Sequence, residues 1–360
     1  MTTSHEFTPS DIADYQRFVD KHEHATAYHN KAWGEAVASA YGFMPKYFGL
    51  KCNGEIVAVM PCVLMKTLKG KTNLCSLPYC DLGGVLATNS ESANELKQQI
   101  TQLALDNNWG FEYRGTVSAL SDSKQIENDA IAPHNIEIPD GTKVRMLYSL
   151  NEDIDAHMAS FKPKLRSQIK KAIKNGVLSK VVATPTASDF DTFYQVFAAN
   201  MRDLGSPVHS KKWFESIFGT YGHNAFLVLV YFEERCIGGA VVIHTGNKAV
   251  IPWASTLRDY NKLAPNMLMY WEVLSETIRR GLPHFDFGRS GYNEGTFRFK
   301  KQWGAIPEVL QWQSLSDGQL REEITSEKSS VRKQVENIWQ KLPLGLTTVI
   351  GPQIRKFISL

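Results

Sequence analysis

The pattern of apolar and polar residues runs through the same order twice along this chain. In the first half, "YFGLKCNGEIVAVMPCVLM" (47–65) reads as strand, turn and strand, with Asn53-Gly54 supplying the positive φ angles of a tight hairpin turn. A helix is expected near 91–108, where Leu96, Ile100, Leu103 and Ala104 share one face, followed by a short strand, "FEYRG" (111–115). In the second half, "AFLVLVYFEERCIGGAVVIHTGNKAVIPWAS" (225–255) reads as three strands turning at Glu233-Glu234-Arg235 and Thr245-Gly246-Asn247. A helix follows at about 266–280, with Met267, Trp271, Leu274 and Ile278 as its stripe, Asn266 as N-cap and Gly281 as stop. The strand "HFDFGR" (284–289) then echoes "FEYRG": an acid between aromatics with an arginine just after. A further helix is expected at 163–175, opened by Pro163 and closed by Gly176.

Strands alternating with helices predict an α/β fold with mixed sheets. The repeated order predicts two similar domains, 1–150 and 151–316, with their junction near 145–160, and a helical amphipathic tail at 317–360. In the tail, Val331, Val335 and Ile338 suit one helical stripe that Pro343 should end. Leu344, Leu346, Val349, Ile350, Ile354, Phe357 and Ile358 follow, with Arg355 and Lys356 among them. Gly345, Gly351 and Pro352 interrupt this stretch, which is too short to span a bilayer. It is expected either to clasp the two domains or to touch an anionic membrane surface.

Composition narrows the class. The chain has 360 residues, 43% of them hydrophobic and 21% charged, as in globular proteins. A net charge of +3 is too small to imply a partner, so electrostatic readings rest on local clusters. Residues 1–30 lack the apolar core of a signal peptide, and the longest apolar run, 225–232, has only strand length. Cys52, Cys62, Cys75, Cys80 and Cys236 are odd in number and form no C-x-x-C pair. A reduced cytoplasmic protein without a metal is therefore expected.

Two stretches concentrate charge. "KPKLRSQIKKAIKNG" (162–176) has six cations and no anion. Leu165, Ile169 and Ile173 recur every four residues as a buried face, and Arg166, Lys170 and Lys174 recur likewise. Uncompensated like charges at that spacing are mildly unfavourable unless an anion binds. The stripe is thus either a solvated face or a phosphate site. "FDFGRSGYNEGTFRFKKQWG" (285–304) places Phe285 and Phe287 on one strand face and Asp286 on the other. Gly288, Gly291 and Gly295 let backbone approach a ligand, and Arg289, Arg298, Lys300 and Lys301 can hold a phosphate or a developing negative charge. No P-loop, H-E-x-x-H or G-x-S-x-G is present.

The sequence resembles the FemAB-type branch of the GNAT superfamily over roughly 30–315, and within it the FemAB-related group associated with PEP-CTERM exopolysaccharide systems. The stretches that carry the resemblance are "SLPYCDLGG" (76–84), "KLRSQIKKAIKNG" (164–176), "FYQVFAANMRDLGSPV" (193–208), "IPWASTLRDYNKLAPNMLMYW" (251–271) and the 285–304 segment. The resemblance implies two tandem GNAT-like domains and transfer of an acyl or aminoacyl group to an amine on a cell-envelope or exopolysaccharide precursor, lipid- or nucleotide-linked. It implies acyl-CoA or aminoacyl-tRNA as donor substrate and no tightly bound cofactor. Phe299-Lys300 ahead of Trp303-Gly304 matches the family's active-centre pair, and Arg166 and Lys170 match its phosphate-binding cations. The long helical hairpin of several members is missing, and so is a Q/R-x-x-G-x-G/A loop for coenzyme A. On this reading Lys300 neutralises developing charge, Arg289 and Arg298 shape the anionic site, and Asp286 orients a cation or accepts the amine proton. Tyr79, Asp81 and Trp253 are further cleft candidates. The rival readings are a non-catalytic module that binds nucleic acid or a phosphorylated glycan on the same fold, and a structural scaffold.

Overall fold

The computed structural model describes residues 3–117, 138–322 and 330–360. The first half contains β1 (Thr3–Glu6), α1 (Ile12–Lys21), α2 (Lys31–Tyr41), β2 (Met44–Cys52), β3 (Glu55–Lys66), β4 (Thr72–Cys75), β5 (Leu86–Ala87), α3 (Ser90–Asp106), β6 (Gly110–Thr116) and β7 (Lys143–Ser149). After them come α4 (Ile154–Ser160), α5 (Pro163–Lys174), β8 (Val177–Val182), α6 (Ala187–Asp203), α7 (Lys211–Tyr221), β9 (Ala225–Phe232), β10 (Arg235–Thr245) and β11 (Lys248–Thr256). The chain continues through α8 (Pro265–Arg279), β12 (His284–Gly291), α9 (Gly295–Gln302), β13 (Ile306–Ser316) and β14 (Gln319–Glu322) to α10 (Ser330–Lys341) and α11 (Leu344–Arg355).

The described strands form one mixed sheet in the order β1-β2-β3-β4-β6-β13-β7-β12-β11-β10-β9-β8, with β14 on β13 and β5 on β3. The expected echo has a structural counterpart: β4 runs parallel to β6, and β11 runs parallel to β12. At the centre the two halves exchange strands. β7 follows β6 along the chain but pairs with β12, while β13 follows β12 but pairs with β6. The two exchanged strands pair with each other, antiparallel. β7 thus lies before residue 150, yet its ladder partners are strands from beyond it.

Local chemistry explains the elements. Asn53 and Gly54 take φ of 51° and 87°, the two positive angles of the β2–β3 hairpin turn. β9 is apolar at every position because both of its faces are covered. Ala225, Leu227 and Leu229 join the core under α6 and α7, where Phe193, Phe197, Trp213 and Phe214 lie. Phe226, Val228 and Val230 join the opposite core with Leu165, Ile169, Met267 and Leu274 from α5 and α8.

Three expectations are corrected. Ile173 is 54% exposed, and Ala172 takes its place beside Leu165 and Ile169, because at 3.6 residues per turn a strict spacing of four drifts off the buried face. Asn266 is not the N-cap of α8: Ala264, at φ 59°, holds that position with Pro265 as first helical residue. In the tail, Val335 and Ile338 face solvent instead of forming a buried stripe, and the side chain of Val331 lies outside the described residues, as do residues 323–329. α11 instead buries Thr347 and Gly351, a Cβ at Gly351 falling 3.0 Å from Val208. The chain end then crosses to residues 76–84: Tyr79 Oη donates to the Lys356 carbonyl at 2.6 Å. Among the described residues no helix is long and apolar enough to cross a membrane.

Candidate active site

The site forms where β11 and β12 part. Their parallel ladder runs from Lys248↔His284 to Val250↔Asp286. On its other edge β12 shifts register against β7 between Asp286 and Arg289. Gly288 occupies the shift with φ 72°, a left-handed angle that a side chain would strain. The distortion is tied internally. Asp286 Oδ1 accepts the Gly288 N–H at 2.7 Å, and Lys300 Nζ donates to the carbonyls of Gly288 at 3.0 Å and Arg289 at 2.6 Å. Lys300 reaches them because α9 folds back immediately after the turn that follows β12.

Phe285 and Phe287 pack into the core on one face of β12, which leaves Asp286 on the other. There its carboxylate lies 3.7 Å from Arg145 Nη1, and Arg145 is also ion-paired with Glu308 through Nε. Asp81 arrives from the first half: its Oδ2 accepts the Arg289 backbone N–H at 3.2 Å, and its Oδ1 lies 3.6 Å from Arg289 Nε. Trp312 Nε1 donates to the Asp81 carbonyl at 3.0 Å, and the Arg289 guanidinium sits 4.9 Å over the Trp312 ring.

Burial sets the protonation. It pushes the Asp286 carboxyl up to about 6, assisted by Asp81 and opposed by Arg145, the Gly288 N–H and Lys300. Burial also brings the Lys300 ammonium down to about 8, against the pull of Asp81 and Asp286 and with the push of Arg289. Two oppositely charged groups, both displaced toward neutrality, therefore share one strand end. Such a pair can move a proton and hold developing charge near neutral pH.

Of the residues marked in the sequence, Asp81, Asp286, Arg289 and Lys300 come together. Phe299 lines the adjacent core, its ring 5.0 Å from Tyr270 and 6.2 Å from Trp303. Arg298 is exposed on α9. Arg166 donates through Nη1 to the carbonyls of Ala159 and Phe161, closing the end of α4, while Lys170 is exposed on α5. Trp253 belongs to an aromatic cluster, stacked on Trp33 at 5.9 Å and edge-on to Phe214 at 5.1 Å. Tyr79 is buried against the tail. Sequence reading missed Arg145, Glu308 and Trp312; the available signal was a charged residue between Val144 and Met146 in β7. A cavity of about 450 Å³ lies at the other end of the β11–β12 ladder, lined by His22, His24, Lys248 and His284 among others. The groups displaced toward neutrality, Asp286 and Lys300, are at the parting end instead.

Residues 159–301 match the family described as Acetyltransferase (GNAT) domain. No curated protein matches the sequence. Among solved structures, the chain resembles FemX with a TM-score of 0.63 at 15% identity, over 85% of this chain and 95% of that one. It resembles a tandem GNAT protein from the clavulanic acid biosynthesis pathway with a TM-score of 0.52 at 11% identity, over 91% and 100% of the two chains. The structure of L-PGS from Bacillus licheniformis matches with a TM-score of 0.51 at 9% identity, over 94% and 98%. The architecture is that of tandem GNAT structures over most of the chain, and the acetyltransferase-domain match falls within its second half.

Proposed function

We propose that this protein is an N-acyl or aminoacyl transferase that moves its group from acyl-CoA or aminoacyl-tRNA to an amine on a cell-envelope or exopolysaccharide precursor. The observation that carries the reading is the buried Asp286–Lys300 pair at the parting of β11 and β12. The amine lone pair attacks the donor carbonyl carbon, and the carbonyl electrons move to oxygen. Asp286, ionised at neutral pH, takes the proton released as the C–N bond forms. Collapse of the tetrahedral intermediate expels a thiolate or a ribose oxygen, which recovers that proton. Lys300 and Arg289 oppose the negative charge that builds in between.

The acceptor class rests on the resemblance of the 285–304 segment to the FemAB-related exopolysaccharide group. Val335, Ile338, Leu346, Val349 and Ile350 are exposed on the tail beside the exposed Lys333 and Lys341. They support peripheral contact with an anionic lipid surface, where a lipid-linked acceptor would lie. Incubation with a panel of acyl-CoAs and charged tRNAs plus amine acceptors, read by mass spectrometry, tests the reading. A product gaining one acyl or aminoacyl mass supports it, and donors left intact across the panel would count against it. Sedimentation with anionic but not neutral vesicles is expected of the tail.

A further inference from the structure

The last residues of the chain end inside the first half's own strand parting. β4 and β6 stay parallel as far as Cys75↔Glu112, just as β11 and β12 do as far as Val250↔Asp286. Glu112 and Asp286 therefore hold matching positions, each the carboxylate at which a parallel pair separates. Around Glu112, part of the space belongs to the chain terminus. Ser359 Oγ donates to Glu112 Oε2 at 2.5 Å, and the Ser359 carbonyl accepts from Tyr79 N at 2.6 Å and Arg114 Nη1 at 2.9 Å.

These bonds grip one loop from both sides. Residues 76–84 contain two non-glycine residues at positive φ, Leu77 at 68° and Tyr79 at 67°, a conformation that persists only where its surroundings enforce it. Arg114 holds the loop from within, through the carbonyls of Leu77 at 3.1 Å and Cys80 at 3.2 Å. The tail holds it from outside, through both the N–H and the hydroxyl of Tyr79. Two residues further on, Asp81 receives Arg289 N–H on its carboxylate and Trp312 Nε1 on its carbonyl. The loop therefore spans from the chain terminus to the β12 cluster.

We infer that residues 356–360 are a positioning element of the active site: they fill the first half's strand parting and, through Tyr79 and Arg114, hold loop 76–84 so that Asp81 meets Arg289. This rests on the reading of Asp81, Asp286, Arg289 and Lys300 as the working cluster. The first parting is then closed by the chain itself, and the molecule works through one cleft.

Amide hydrogen exchange on the full chain and on a chain ending at Arg355 tests the coupling without any substrate. Peptides covering 76–84 and 286–292 should both exchange about tenfold faster in the shortened chain, with β9 and β10 unchanged. Acceleration confined to 76–84 would overturn the inference and leave the tail a local clasp. Should the shortened chain lose structure throughout, Tyr79→Phe removes only the hydroxyl bond, and the same two peptides are expected to accelerate together. Once a donor is in hand, the shortened chain in an Asp81→Asn background should turn over no more slowly than Asp81→Asn alone, whereas independent, multiplying losses would overturn it. A failed donor search would strike the transferase reading and leave the exchange result standing.

Discussion

In the proposed reaction Asp286 and Lys300 set the pH range in which turnover is expected. Asp286 must be ionised to take a proton, so kcat/KM should fall as pH drops through about 6. Lys300 must be charged to oppose the oxyanion, so it should fall again as pH rises through about 8. Lys300→Ala is expected to cost on the order of a hundredfold in kcat and to erase the alkaline limb, measured as a pH–rate profile. A variant with near-normal turnover would remove Lys300 from the mechanism. The sign for stability runs the other way at Asp286. Its folded-state pKa lies above its unfolded value of 3.8, so its contribution is fullest below 3.8 and is lost as pH rises through about 6. Asp286→Asn should therefore raise stability by about 1 kcal/mol at pH 7 and by nothing at pH 3.5, in urea unfolding, while abolishing turnover. Asp286, Arg289 and Lys300 were legible because they crowd into one short segment. Arg145 was not, because its partners Asp286 and Glu308 lie more than 140 residues away and meet it only through the strand exchange.

At the scale of elements, α5 separates a binding role from a structural one. Arg166 bonds the last carbonyls of α4, so Arg166→Ala should lower stability by about 1 kcal/mol whatever it does to binding. Lys170 is exposed, so Lys170→Ala should leave the unfolding midpoint alone, raise KM for a phosphate-bearing substrate and weaken its salt dependence. Equal KM in wild type and Lys170→Ala across a salt series would reduce α5 to a solvated face. The order of elements was readable from period and turn chemistry: the Asn53-Gly54 hairpin, the two-faced run of β9 and the stops at Gly176 and Gly281 all stand where the residues put them. Helix edges were less readable. The helix of Asn266 is capped two residues earlier, at Ala264: Pro265 suits the first helical position, as Pro163 does in α5, but the left-handed angle that lets Ala264 precede it belongs to the turn before it, and an alanine gives no sign of that.

For the whole molecule, the repeat could be read from sequence but the exchange of β7 and β13 could not, since strand pairing depends on tertiary neighbours that apolar alternation does not encode. Neither half completes its sheet alone. Residues 1–150 by themselves would leave the β6 edge bare and β7 without either partner, so this fragment should aggregate or self-associate. Co-expression with 151–360 should recover a soluble one-to-one complex on size exclusion. A monomeric 1–150 with a cooperative unfolding transition would contradict this. The exchange also has a consequence in time. β6 ends at Thr116 and β13 begins at Ile306, so the ribosome makes about 190 residues between them, on the order of 10–40 s at ~5–20 residues per second. For that interval the nascent first sheet carries an open edge, and chaperone occupancy of ribosome-bound chains should peak there and collapse once β13 emerges. A run of slow codons between the two strands would lengthen the exposure without changing one amino acid of the finished protein.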